Sequence, residues 1–255
     1  MLVNELLTSL FDGESNLLAE AMAGWLPASR RFSSFVTTHH TKIRKKVRSA
    51  QDPESRRDLM LELETAYLLL RERSLGLAYE PQHRELGRSP DFAVSFTTSF
   101  TSMVEVTRMR PAQQRTPPGA RQPNGGAQPP RAEFTIPLPA NRLADLICSK
   151  LGQFLPQRSN VLVVGMESPE LSQRDLQAVM LRIQQRAEVS DPTIVQRYAF
   201  RDRADFFRHY QRLSAILLRA IPLRVGTAAG LWVNPQAKHA LPARVKTAIV
   251  RSHTL

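Results

Sequence analysis

Asp91, Glu105 and Lys150 are residues of this chain whose types and spacing could do chemistry together. The stretch RSPDFAVSFTTSFTSMVEVTRMR, residues 88–110, sets two carboxylates into segments that otherwise read as buried strands. Side chains alternate between the faces of a strand. In the first segment Asp91, Ala93 and Ser95 share a face, opposite Phe92, Val94 and Phe96. In the second, Met103, Glu105 and Thr107 share a face, opposite Val104 and Val106. A hairpin register with Ala93 opposite Glu105 makes Asp91 and Glu105 diagonal neighbours, about 7–8 Å apart at Cβ. Like charges this close in a half-buried place are costly. A divalent cation, Mg²⁺ or Mn²⁺, held between them removes that cost.

The amine comes from further along the chain. In NRLADLICSKLGQFL, Leu143, Leu146, Ile147 and Phe154 mark the buried face of a helix capped at Asn141. At about 100° per residue, Lys150 falls within roughly 20–30° of the centre of that face. An unpaired buried ammonium is expensive, so a carboxylate on the sheet is its expected partner. Gln153, near the edge of the same face, could hydrogen-bond Lys150 or a phosphate.

The elements that must position these groups follow from pattern. Asp52-Pro53 opens a helix that Gly76 is expected to end. Leu59, Leu63, Ala66 and Leu70 give it one buried face. Glu62 lies roughly 70° from the centre of that face and borders the core, while Glu64, roughly 130° away, points to water. LAYEPQHREL reads as a strand, with a turn at Gly87. DFAVSF and SMVEVT form a hairpin, and NVLVVG reads as a strand covered on both faces. A helix over SQRDLQAVMLRIQQRA, a helix passing into a strand over residues 203–220, a short strand at GLWVN and a closing helix complete the chain. This alternation predicts an α/β (α+β) domain over residues 51–255, with a mixed central sheet flanked by helices. Residues 1–50 form a helical, basic N-terminal extension. Its segment 31–50 carries Lys42, Arg44, Lys45, Lys46 and Arg48, either a phosphate-contacting helix or a solvated face. Residues 111–139, rich in proline and glycine, read as a disordered loop.

Glu62, then Pro90-Asp91, then Glu105-Val106-Thr107, on a helix followed by three strands, a helix and a strand, resembles the PD-(D/E)XK nuclease superfamily. The resemblance covers roughly residues 55–165. It implies a restriction-endonuclease-like core and a metal-dependent endonuclease that hydrolyses phosphodiester bonds in DNA. Asp91 and Glu105 are then Mg²⁺ ligands, with the Val106 carbonyl completing the shell and Glu62 as a supporting acid. The departure is Thr107, which stands where the family pattern has lysine. In some members of that superfamily the lysine has moved to the following helix, the place of Lys150 here.

The net charge of +12 favours a polyanionic partner. A single cysteine, Cys148, allows no intramolecular disulfide and suits a reducing cytoplasm. No apolar run is long enough to suggest a membrane span, and the N-terminal segment, with Glu5 and Asp12 and no early lysine or arginine, is not a secretory signal. No phosphate loop or dinucleotide fingerprint occurs. The alternative to the enzyme is an inactive module of the same fold that binds nucleic acid or a protein partner, and a homodimer is compatible with either.

Overall fold

The structure, a computed structural model, describes residues 3–82, 89–97, 99–110, 138–167, 171–222 and 229–253. Helix α5 (Pro53–Arg71) begins where the sequence places its start. The Asp52 carboxylate accepts the Glu54 and Ser55 N–H groups at 2.9 Å, and Pro53 occupies the first turn, where no donor is missed. The helix ends five residues before Gly76, which lies inside strand β1 (Leu75–Tyr79) and not at a helix stop. What terminates α5 comes from a distant helix. Arg31 of α3 (Arg30–Thr38) donates to the carbonyls of Leu70 and Glu72 at 2.8 Å and to that of Leu75.

Strands β1, β2 (Phe92–Phe96), β3 (Phe100–Met109), β4 (Ser159–Met166), β5 (Leu213–Ala220) and β6 (Gly230–Val233) lie side by side in chain order in one mixed sheet. The first three form an antiparallel meander. β3, β4 and β5 are parallel, and β6 returns antiparallel. Parallel neighbours need crossovers. Helix α6 (Leu138–Lys150) joins β3 to β4, and α7 (Gln173–Glu188), α8 (Pro192–Arg197) and α9 (Arg203–Tyr210) join β4 to β5. β4 is buried along its whole length, as its unbroken apolar run predicts.

Two hydrophobic layers flank the sheet. Helices α1 (Val3–Phe11), α2 (Leu17–Ala28), α3, α4 (His40–Ser49) and α5, with the closing helix α10 (Ala243–Ser252), share one cluster with Val104, Val161 and Leu217. Helices α6, α7 and α9 share the other with Leu162, Val164 and Ile216. The N-terminal helices thus pack in the same core as α5 and the sheet. The predicted loop over residues 111–139 falls outside the described residues up to 137, as does the turn at Gly87. Residues 138 and 139 already belong to α6, which puts Asn141 inside that helix and not at its cap.

Two further expectations are corrected. The β2–β3 register pairs Ala93 with Met103, not with Glu105. Only three residues separate the strands, and a shift by two preserves every face, so the apolar pattern could not distinguish the registers. Glu64 does not point to water: it is buried and pairs with the buried Arg219 at 2.7 Å. Helix α5 packs against the sheet on one side and α2, α3 and α10 on others, so a single-face reading failed. His39 and His40 are half-buried, His39 against the Phe35 and Tyr79 rings and His40 at 3.0 Å from the Ser9 hydroxyl.

Candidate active site

The β2–β3 ladder stops at Phe92 and Val104, but β3 runs on to Met109 with β4 as its neighbour. From residue 105 onward β3 has no strand partner on the β2 side among the described residues. Asp91 sits at that point. Its Oδ2 accepts the Val106 N–H at 2.7 Å, taking the place of the carbonyl that a longer β2 would have offered. A strand residue turns its N–H and C=O to the same side, so the Val106 carbonyl faces this edge too. Asp91 thus lies one residue beyond the ladder and bonds to Val106, the neighbour of Glu105 in β3.

Glu105 is buried on the sheet face that α6 covers. There the Lys150 ammonium, in the last turn of α6, donates to Glu105 Oε1 at 2.9 Å and to Gln153 Oε1 at 3.3 Å. Gln153 stands in the 3-10 turn Leu151–Gln153 that follows α6. The helix is held down by Leu143, Ile147 and Cys148, all buried against the sheet cluster. Burial pushes the Cys148 thiol up to about 12. Lys150 stays half-buried, so its stem lies in the core layer while its amine reaches the acids.

Burial first, and then the charges of Glu105 and Glu62, push the Asp91 carboxyl up to about 7. Glu62 approaches from α5 and is itself held. Its Oε1 accepts from the Lys46 ammonium of α4 at 2.6 Å and from the Tyr79 hydroxyl at 2.5 Å. Lys46 also reaches Glu80 at 2.8 Å and lies 4.9 Å from the centre of the Tyr79 ring. Burial works against the Lys46 charge, but Glu62 and Glu80 outweigh it and hold its pKa above the usual lysine value. Burial and the Glu62 charge push the Tyr79 hydroxyl upward, so it remains a donor.

These groups line a cavity of about 770 Å³ that includes Lys46, Glu62, Asp91, Val106, Thr107 and Lys150. Arg108 belongs to its wall, with the guanidinium enclosed by Glu54 at 2.5 Å, Asp58 at 2.8 Å and Glu167 at 2.6 Å. The structure therefore brings Glu62, Asp91, Val106, Thr107 and Lys150 around one space, with the buried Glu105 and Gln153 bonded to Lys150 beside it. Lys46 and Tyr79 were not singled out from sequence as site residues. The signal for Lys46 was present: it lies three residues after the buried Ile43 on an otherwise basic helix.

Mg²⁺ keeps several waters and takes one or two protein carboxylates together with substrate phosphate oxygens. The donor set here, two adjacent carboxylates and a strand-edge carbonyl, fits that habit. Burial, and then the charges of Glu105 and Glu62, disfavour an ionised Asp91, and a cation beside it would offset that cost. Among the described residues no group of three or more His, Cys, Asp or Glu side chains converges to hold a metal ion. Also among the described residues, no helix is long and apolar enough to cross a membrane. No family model, curated protein or solved structure matches the chain.

Proposed function

We propose that this chain is a Mg²⁺-dependent nuclease with a restriction-endonuclease-like core, hydrolysing phosphodiester bonds in DNA. The observation that carries the reading is the 2.9 Å bond from Lys150 to Glu105, beside an Asp91 whose proton affinity is raised by burial and then by its acidic neighbours. An amine on the crossover helix meets the acid pair where the resembling family has lysine on the strand. The order of helix α5, strands β1–β3, helix α6 and strand β4 is the order that the resemblance implies.

In this reading Asp91, Glu105 and the Val106 carbonyl would hold the ion. A bound ion would supply polarisation of a phosphoryl oxygen and a water that is nucleophilic at neutral pH. The protein's own groups do the rest. Lys150, steadied by Glu105 and Gln153, directs its positive charge toward the oxygens of the scissile phosphate as negative charge builds there. Thr107, on the strand face of Glu105, offers a hydroxyl donor without charge. Lys46 and Tyr79 fix the Glu62 carboxylate and neutralise part of its charge, which limits its repulsion of Asp91.

The test is Mg²⁺-dependent cleavage of mixed single- and double-stranded DNA by the wild type, Asp91→Ala and Lys150→Ala. Each variant is expected to lose about 10²-fold or more in rate, the scale of a removed electrostatic contact at the reacting centre. Equal cleavage by all three proteins, or none by the wild type in Mg²⁺ or Mn²⁺, would remove the enzyme reading.

A further inference from the structure

Five cationic side chains line the cavity, and they differ in what faces them. Lys46 is held by Glu62 and Glu80, Lys150 by Glu105, and Arg110 by Asp58 at 2.6 Å. Arg108 has three carboxylates around it. Arg142 has no ion pair or hydrogen bond among the described residues. The acid one turn further along α6, Asp145, would be its natural partner. That carboxylate is instead taken by Arg197 at 2.9 Å and by the Tyr198 hydroxyl. Arg142 nonetheless lies on the α6 face that lines the cavity, the face of Leu146, Ser149 and Lys150.

We infer that Arg142 is the anchor for a second phosphate of a polynucleotide, at a subsite distinct from the acid pair. The inference rests on the nuclease reading for the identity of the ligand. Arg142 and Lys150 stand eight residues apart on α6, about 12 Å along the axis at 1.5 Å per residue. At about 3.4 Å of rise per nucleotide of a stacked strand, this spans roughly three to four steps. The strand then runs along α6, with one phosphate at the Lys150 end and another at Arg142. A planar guanidinium suits this role, because it grips phosphate oxygens in pairs and keeps its charge at any working pH.

The experiment measures oligonucleotide affinity in EDTA across a salt series for the wild type, Arg142→Ala and Arg142→Lys, with thermal unfolding of each as a fold control. One phosphate contact contributes about 0.9 to the slope of log affinity against log salt on duplex DNA and about 0.7 on single strands. Arg142→Ala is expected to bind more weakly and to lose about one contact's worth of slope. Arg142→Lys is expected to keep the slope while binding less tightly. An unchanged slope and affinity in a folded Arg142→Ala overturns the subsite, even if the wild type cleaves DNA. A lowered slope in a protein that never cleaves supports the subsite while the catalytic reading fails. A wild type that binds no oligonucleotide at low salt overturns both.

Discussion

Asp91 does two jobs with one carboxylate. One oxygen accepts the Val106 N–H, which holds the end of the meander, while the group as a whole shares a half-buried space with Glu105 and Glu62. The sign of the resulting pH dependence follows from its raised pKa. The folded state binds this proton more tightly than the unfolded chain does, so the contribution is full in acid and is lost as pH climbs from the ordinary aspartate range through about 7. In EDTA, the melting temperature of the wild type should therefore fall relative to Asp91→Asn between pH 5 and pH 8. Mg²⁺, which binds the ionised form, should restore the wild type most at the alkaline end. Parallel wild-type and Asp91→Asn curves with no response to Mg²⁺ would show that the acids do not interact as drawn.

Among the elements, α5 carries the most unequal tasks. One side brings Glu62 to the cavity, another receives Arg108, and its middle buries Glu64 against Arg219 of β5. Arg219 also reaches the Thr65 hydroxyl and the carbonyls of Leu61 and Ala220. A buried pair of this kind is costly to break from one side, because the survivor is left charged and enclosed. Glu64→Leu should lower the unfolding free energy in urea by about 3–5 kcal/mol, and adding Arg219→Met should recover most of the loss. A Glu64→Leu variant within about 1 kcal/mol of wild type would contradict the pairing. The strand pattern revealed which face Asp91 and Glu105 occupy, and helix periodicity turned Lys150 inward. Neither could reveal the register, since a slip by two residues leaves the same faces in place. Glu64 was misread because the periodicity of Leu59, Leu63, Ala66 and Leu70 shows one buried stripe, whereas α5 is covered from more than one direction. The capping of α5 by Arg31 was beyond reach, because it joins residues 39 and more positions apart.

At the scale of the whole molecule, the N-terminal helices are joined to the sheet by packing and by charge. Leu6, Leu10, Phe32, Phe35 and Ile43 lie in the same cluster as Val104 and Leu217, and Lys46 ties α4 to Glu62 and Glu80. Removal of residues 1–50 should therefore uncover apolar surface over α5 and leave Glu62 without its amine. The truncated chain is expected to bind a hydrophobic dye and to lose near-ultraviolet dichroism. A truncation that binds no dye and keeps native dichroism would demonstrate that the sheet and its remaining helices stand alone.

Cys148, the chain's one cysteine, lies two residues before Lys150 with its sulfur sealed beneath α6 and its proton firmly held. Thiolate is the form that attacks another sulfur, and this thiol offers almost none while the helix stays seated. Two copies of the chain consequently have no covalent route to each other through sulfur in the native state. Any pairing of subunits has to arise from matched surfaces, and it will answer to dilution and ionic strength rather than to reductant.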